Sequence, residues 1–186
     1  NLYAGRKMVY LRHFDADKWV QLVLDEGVTS ATVVPTMLDR IVTVLESRDI
    51  TLPRLRTLAY GGSKVALPLV RRALELLPDV GFVNAYGLTE TSHIAAGCSK
   101  LFDIPERAVG RVMPGRTVAV VDENLKPLPR GQVGQIVSSA DDPITMLGYW
   151  GKPEATAERL TNGWCLTNDR GLIDEEGFLW YRGRMG

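Results

Sequence analysis

The chain has 186 residues, and its 22 basic and 22 acidic side chains cancel to a formal net charge of zero. A chain of this length can bury one large hydrophobic core or two small ones. Because there is no surplus of basic residues, broad electrostatic binding to nucleic acid or to an anionic membrane is not expected. Any anionic ligand must be held locally, by backbone N–H groups, a metal ion or a few side chains.

The two cysteines, Cys98 and Cys165, are far apart in the sequence and do not have metal-ligand spacing. We interpret them as reduced thiols of a cytoplasmic protein rather than as a disulfide. No apolar run approaches the roughly 18 to 20 residues that a membrane-spanning helix needs. Asn1 is not an initiator Met, and Gly183-Arg184-Met185-Gly186 ends just after a predicted strand, so we expect both ends to be cut from a longer chain.

The first half alternates short apolar segments with amphipathic helical patterns, in the order β-α-β-α-β-α-β. The predicted strands are 8–11, 31–34, 57–60 and 80–85. Asp15 is a candidate N-cap of the first helix, Pro35 begins the second and Pro78 stops the third. This alternation predicts an α/β fold with a parallel sheet covered by helices, in which ligands bind beyond the carboxyl ends of the strands.

The helical period disappears from about Asp103 onward. Short strand candidates follow, separated by turn sequences such as Asn162-Gly163. They cover 118–121, 133–137, 149–150, 164–166 and 178–181. This pattern predicts a small antiparallel β-barrel or a strongly bent sheet. We therefore predict an α/β domain over residues 1–102 and a β-rich, barrel-like domain over residues 103–186.

The segment 84–90, at the end of the fourth predicted strand, combines four groups that suit a nucleotide and its metal. Tyr86 offers a flat ring for a purine, and Gly87 lets the backbone approach a ligand closely. Thr89 offers a hydroxyl for a phosphate oxygen, and Glu90 is a hard oxygen ligand that suits Mg²⁺ beside phosphates. The alternative is an ordinary strand-to-helix turn, with Glu90 in the first helical turn.

The same segment resembles the central signature of the AMP-forming acyl-CoA synthetases, which belong to the adenylate-forming ligase superfamily. Other blocks match in the family's order over nearly the whole chain. They are Val34-Pro35-Thr36, Tyr60-Gly61-Gly62-Ser63, Gly148-Tyr149-Trp150 with Lys152-Pro153-Glu154-Ala155-Thr156, Thr167-Asn168-Asp169 and Gly183-Arg184. The resemblance favours the nucleotide interpretation of the segment. The family usually has glycine where this chain has Asn168, and asparagine tolerates positive φ, so we expect Asp169 to keep its place.

The resemblance implies a role for each matching residue. The nucleotide-binding residues would be Gly61, Gly62, Ser63, Asn84, Ala85, Tyr86, Gly87, Asp169 and Arg184. Asp169 would accept hydrogen bonds from the ribose hydroxyls, and Arg184 would reach the ribose or the α-phosphate. Thr89 and Glu90 would be the catalytic residues, with Glu90 as the Mg²⁺ ligand.

The acyl substrate would lie against apolar residues next to the nucleotide. The pocket residues would be Val34, Pro35, His93 and Ile94. On a helical turn, His93 would share the face of Glu90, three residues earlier, although a structural role for this histidine is an alternative. A fatty or other hydrophobic acid is the predicted substrate.

The function implied for the whole protein is that of an ATP- and Mg²⁺-dependent ligase, which activates a carboxylic acid as acyl-AMP and transfers it to CoA. Leu88 favours the acyl-CoA synthetases over adenylation domains that transfer to a carrier protein. The family's phosphate-binding loop and its small C-terminal domain would lie outside this chain, so we expect this stretch alone to be inactive. The alternative from another class is a non-catalytic nucleotide-binding or interaction module. A dinucleotide-dependent oxidoreductase is disfavoured because no Gly-x-Gly-x-x-Gly follows a predicted strand.

Overall fold

A computed structural model describes residues 4–61, 65–98 and 108–186. The chain divides into two compact units, Asn1–Val83 and Asn84–Gly186. The boundary predicted from the sequence, between residues 102 and 103, lies outside the described residues and stays a prediction.

Unit 1 alternates helices and strands as the sequence predicts from residue 15 onward. Its elements are α1 (Ala16–Asp25), β1 (Ser30–Val33), α2 (Pro35–Arg48), β2 (Thr57–Gly61), α3 (Leu67–Leu76) and the start of β3 (Gly81–Leu88). Strands β1 and β2 pair in parallel. The predicted N-cap is confirmed, since the Asp15 side chain accepts a hydrogen bond from the Lys18 backbone N–H at 2.9 Å.

The core of unit 1 forms where the helical period placed it. Leu38, Ile41, Val42 and Leu45 of α2 are at most 1% exposed, and Leu58 of β2 is fully buried. Burial of each such side chain stabilises the fold by about 1.5–3 kcal/mol. Tight packing of this stripe fixes α2, and with it Pro35 at the first helical position.

The first predicted strand is wrong. Residues 8–11 lie in irregular backbone. Met8 is 37% exposed and Tyr10 is 77% exposed. An alternating apolar segment becomes a strand only when one face is well buried and the backbone pairs with a neighbour. Here Met8 and Tyr10 remain in solvent, and Val9 and Leu11 are only half-buried.

Unit 2 is rich in antiparallel strands. After the end of β3 it contains β4 (Ser92–Cys98), β5 (Gly110–Val112), β6 (Val118–Val121), β7 (Gly134–Ser139), α4 (Pro153–Arg159), β8 (Leu160–Thr161), β9 (Trp164–Ile173) and β10 (Phe178–Arg184). The strand order is β4-β5-β10-β9-β7-β6, and β8 pairs with β9. No pairing among the described residues closes this path. The predicted α/β fold with a following antiparallel part is confirmed, whereas the barrel-like closure is corrected to an open sheet.

In unit 2 one predicted strand is wrong, and the sequence does not predict α4, β4, β5 and β8. Residues 149–150 lie in a loop rather than a strand, and Trp150 is 99% exposed. Helix α4 was missed because all seven of its residues are half-buried or exposed, which leaves no apolar stripe to detect. Strand β4 was also missed. Its Ile94 and Ala95 are fully buried in the core of unit 2, which they share with Val109, Val120, Ile136 and Leu179.

The longest helix, α2, has 14 residues. Among the described residues, no helix combines the length and the apolar character that crossing a bilayer requires.

Candidate functional site

Two groups of polar side chains in unit 2 contain four of the residues singled out from the sequence, which are Tyr86, Glu90, Asp169 and Arg184. The first, here the Asp169 cluster, consists of Tyr86 on β3, Thr167 and Asp169 on β9, and Arg184 on β10. The Tyr86 hydroxyl donates a hydrogen bond to Asp169 Oδ2 at 2.6 Å. Asp169 is only 2% exposed, so this hydrogen bond holds a carboxylate that is almost completely removed from water.

The second carboxylate oxygen of Asp169, Oδ1, has a charged neighbour but no hydrogen-bond donor among the described residues. Arg184 Nη1 lies 3.1 Å from Oδ1, within ion-pair distance, but the angle is unsuitable for a hydrogen bond. Among the described residues, Oδ1 therefore has no hydrogen-bond donor although it is buried. A buried acceptor without a donor is costly and uncommon. A hydroxyl of a bound ligand would supply the missing donor to Oδ1.

The backbone of β9 positions Asp169. Between Ile136 and Val137 of β7, the pairing with β9 shifts so that Thr167 and Asn168 form a bulge. Thr167 Oγ1 donates to the Ile136 carbonyl at 2.6 Å and accepts from the Asp169 N–H at 3.1 Å. Asn168 has φ 58°, so the positive φ expected at this position is confirmed. Bulges of this kind re-aim side chains and occur often beside active sites.

The Tyr86 hydroxyl keeps its proton and can therefore act as a hydrogen-bond donor in this cluster. Burial, and then the hydrogen bond to Asp169, hold the pKa of Tyr86 far above its usual value of 10.0. The phenol therefore remains protonated at neutral pH. On one side its ring packs near Tyr181, with ring centroids 6.1 Å apart. The hydrogen bond to Asp169 thus fixes the hydroxyl end of the ring that is predicted to stack on a purine.

The second group, here the Glu90 cluster, consists of Glu90, Tyr149 and Arg159. The Tyr149 hydroxyl donates to Glu90 Oε1 at 2.5 Å. Arg159 Nε donates to the Tyr149 hydroxyl at 3.3 Å, and its Nη2 lies 4.0 Å from Glu90 Oε1. The hydrogen bond from Tyr149 lowers the pKa of Glu90 below its usual 4.5 against the opposing effect of burial, with help from the charge of Arg159. Glu90 is therefore an ionised carboxylate with a fixed orientation.

Glu90 lies in a hairpin turn between β3 and β4. The Leu88 N–H donates to Thr91 Oγ1 at 3.0 Å, and the Thr91 N–H donates to the Leu88 carbonyl at 3.2 Å. The alternative of a strand-to-helix turn is therefore wrong, and so is the helical geometry expected for His93, which is exposed on β4. Sequence reasoning missed Thr91, which is fully buried and builds the turn.

Gly87 is required by the packing of two strands, and its predicted role beside a ligand stays a prediction. A Cβ atom at this position would lie 1.9 Å from the backbone oxygen of Ser92. The glycine thus permits the close approach of β4 to β3. Asn84 and Ala85 are half-buried on β3, and Thr89 is exposed at the turn.

The remaining predicted residues take varied positions. In unit 1, Gly61 ends β2, Val34 caps α2 and is 44% exposed, and Pro35 is buried. Gly62 and Ser63 lie outside the described residues. In unit 2, Ile94 is fully buried in the core, so a pocket role for it remains a prediction.

Residues 1–150 match the protein family described as AMP-binding enzyme. The chain belongs to this family. Family membership confirms the resemblance seen in the sequence and places the chain among the adenylate-forming ligases.

Several members of the AMP-binding enzyme family are similar to nearly the whole chain. The fatty acid–[acyl-carrier-protein] ligase ScoC of Streptomyces coeruleorubidus is 37% identical over 191 residues, covering 100% of this chain and 36% of the relative. The acyl-CoA ligase sidI of Aspergillus fumigatus is 32% identical, covering 97% of this chain and 32% of the relative. The structure of the amide bond synthetase McbA from Marinactinospora thermotolerans superposes with a TM-score of 0.86 at 32% identity, covering 94% of this chain and 35% of McbA.

The chain thus spans about a third of the length of these relatives. Their names differ: one is named for an acyl-carrier-protein, one for acyl-CoA and one for an amide bond. What they share is the ligase family, and the acceptor varies within it.

Proposed function

We propose that the protein containing this chain uses ATP to activate a carboxylic acid as acyl-AMP, and that unit 2 supplies part of the nucleotide site. The observation that carries the proposal is Asp169, a buried carboxylate with one oxygen held by Tyr86 and the other without a hydrogen-bond donor among the described residues. Such a group gains a partner when a ligand with hydroxyl donors binds. The ribose of ATP carries two neighbouring hydroxyls of this kind.

In this proposal the Asp169 cluster recognises the nucleoside. Asp169 Oδ1 accepts from the ribose, and Arg184, whose side chain is 62% exposed, supplies positive charge to the ribose or the α-phosphate. The half-buried ring of Tyr86 contacts the purine, and its orientation is fixed by the hydrogen bond to Asp169. Asn84, Ala85 and Gly87 are the β3 backbone beside it.

The residues of the Glu90 cluster fit Mg²⁺. Among the described residues no three His, Cys, Asp or Glu side chains come together as a metal cage. Mg²⁺ bound with ATP needs no such cage, because one or two carboxylates, water and phosphate oxygens complete its shell. Glu90 would hold the ion and Thr89 would contact a phosphate oxygen. When bound, Mg²⁺ would stabilise negative charge on the phosphates. The ionised, oriented state of Glu90 suits this role.

Different observations support the proposed acid substrate and the proposed acyl acceptor. We propose a fatty or other hydrophobic acid, which agrees with the name of ScoC. The candidate acid-binding residues are Val34 and Pro35 in unit 1 and His93 and Ile94 in unit 2. CoA is the proposed acceptor because of Leu88 and the likeness to the acyl-CoA ligase sidI. A carrier-protein thiol is the second candidate, since ScoC is named for that acceptor. A cytoplasmic location is proposed, where ATP and CoA are available.

The test is carboxylate-dependent exchange of radiolabelled pyrophosphate into ATP by the full-length protein. We expect exchange that requires both Mg²⁺ and an acid, with hydrophobic acids as the best substrates. Glu90→Gln is expected to reduce exchange by about 100-fold, since loss of one preorganised charge at such a site costs on this order. A protein that binds ATP but shows no exchange with a broad panel of acids would instead be a non-catalytic nucleotide-binding module. Addition of CoA or of a carrier protein with a free thiol then identifies the acceptor.

A further inference from the structure

The loop before α4 and α4 itself form a chain of hydrogen bonds that ends on Glu90. Tyr149 and Arg159 are 59 and 69 residues away from Glu90 in the sequence, and both reach its carboxylate oxygen Oε1. The Met146 N–H also donates to the Glu90 carbonyl at 2.8 Å. Side chain and backbone of Glu90 are thus both held by the same loop and helix.

The hydrogen bond from Tyr149 has a defined direction. A phenol has one proton to donate and can accept at its oxygen. Arg159 Nε donates to that oxygen, and the Tyr149 proton is therefore committed to Glu90 Oε1. Arg159 is itself anchored, because its Nη1 donates to the Leu166 carbonyl at 2.7 Å. Arg159 fixes the phenol, and the phenol fixes the carboxylate.

Hydrogen bonds of the backbone around Tyr149 hold this side chain in position to reach Glu90. The Tyr149 N–H donates to Thr156 Oγ1 at 2.9 Å, and the same hydroxyl donates to the Lys152 carbonyl at 2.8 Å. Gly148 has φ 147°, and a Cβ atom there would lie 2.9 Å from Thr156 Cγ2. A residue with a side chain would be both strained and in contact with Thr156. The turn therefore needs glycine at 148 and threonine at 156.

We propose that Tyr149 and Arg159 are positioning residues that hold the Glu90 carboxylate in one orientation for a divalent cation. This inference rests on the proposed metal role of Glu90. A carboxylate that is already ordered loses less side-chain freedom when it binds an ion. Partners that hydrogen-bond to a metal ligand typically contribute about 10- to 100-fold to metal affinity.

The test measures metal affinity directly in the full-length protein. Binding of Mn²⁺ is followed by electron paramagnetic resonance with ATP present and the acid left out, and Mg²⁺ is titrated in the exchange reaction. Tyr149→Phe is expected to raise both the Kd for Mn²⁺ and the half-saturating Mg²⁺ concentration by about 10-fold. The fractional loss of exchange is expected to be smaller at saturating Mg²⁺ than at limiting Mg²⁺. Tyr10→Phe removes the same atom from an exposed ring and is the matched control.

Arg159→Lys is the second variant, for the case in which Tyr149→Phe does not fold. Lysine keeps the charge but lacks the fixed Nε–H, and a smaller rise in the same two quantities is expected. Unchanged metal affinity in both variants overturns the inference. So does an equal loss of exchange at every Mg²⁺ concentration together with a lower Tm, because that result indicates a structural role alone.

Glu90→Gln separates this inference from the proposed function. If Glu90→Gln binds Mn²⁺ as the wild type does, the metal role of Glu90 is wrong and the positioning role is overturned with it. If Glu90→Gln loses Mn²⁺ binding while Tyr149→Phe and Arg159→Lys bind it normally, only the positioning inference is overturned.

Discussion

Removal of the Tyr86 hydroxyl is expected to destabilise unit 2 through Asp169. Tyr86→Phe keeps the ring but deletes the donor that lies 2.6 Å from Asp169 Oδ2. Because Oδ1 is already without a donor among the described residues, the variant takes away the one side-chain hydrogen bond that this buried carboxylate accepts from those residues. The ion pair with the largely exposed Arg184 then remains.

The magnitude follows from the burial of the acceptor. A hydrogen bond to a charged group contributes about 1.5–3 kcal/mol, and we take about 2 kcal/mol for this one. For a domain of about 150–250 residues, each kcal/mol shifts Tm by about 2–4 °C. The expected decrease in Tm is therefore about 4–8 °C.

Differential scanning calorimetry of the full-length protein measures this decrease, with Tyr10→Phe as the exposed control. In an Asp169→Ala background the acceptor is absent, so Tyr86→Phe is expected to lower Tm by less than about half as much. The same decrease in both backgrounds would refute the reasoning, because the effect would then come from the packing of the ring. A decrease below about 1 °C in the wild-type background would refute it as well.

Three further outcomes are expected. Gly87→Ala places a Cβ 1.9 Å from the Ser92 oxygen and is expected to cost about 3 kcal/mol or more, measured by calorimetry against the wild type. An unchanged Tm would contradict the required close approach. Because Asn168 has φ 58°, Asn168→Gly is expected to change the free energy of unfolding by no more than about 1 kcal/mol, and Asn168→Val to lower it by about 1–2 kcal/mol. An unchanged free energy of unfolding in Asn168→Val would show that the turn relaxes. The pKa of Glu90 is lowered from 4.5, so its contribution to stability is present above that pH and is lost as pH falls through the folded-state pKa. The Tm difference between wild type and Glu90→Gln should therefore shrink in acid. A difference that is independent of pH would contradict a stabilising role for the ionised Glu90.

Local patterns predicted the parts of the fold that local physics determines. The stripe of α2 and the cap at Asp15 depend on residues three or four apart, and both are confirmed. The positive φ at Asn168 was also predictable, since asparagine is one of the few side chains that tolerate it. The failures at 149–150 and at α4 occur where solvent exposure removes the apolar signal.

The connections within the candidate site could not be read from spacing. Tyr86 and Asp169 are 83 residues apart, and their hydrogen bond depends on how β3 and β9 are placed by the sheet. The hairpin at Glu90 depends on Thr91, whose side chain replaces a helical continuation with a turn. The family resemblance pointed to a nucleotide at segment 84–90, but only the structure shows that the hydroxyl of Tyr86 and the carboxylate of Glu90 already have protein partners.

The bulge in β9 also has a consequence for how this strand can vary in length. It contains two extra residues, Thr167 and Asn168, opposite the single step from Ile136 to Val137. Because side chains alternate with a period of two, an even insertion preserves the phase of the strand, and Cys165, Thr167 and Asp169 all remain buried. Deletion of one residue would turn the Asp169 carboxylate to the opposite face, whereas deletion of the pair would keep it inside. Viable length variants at this position should therefore differ by two residues.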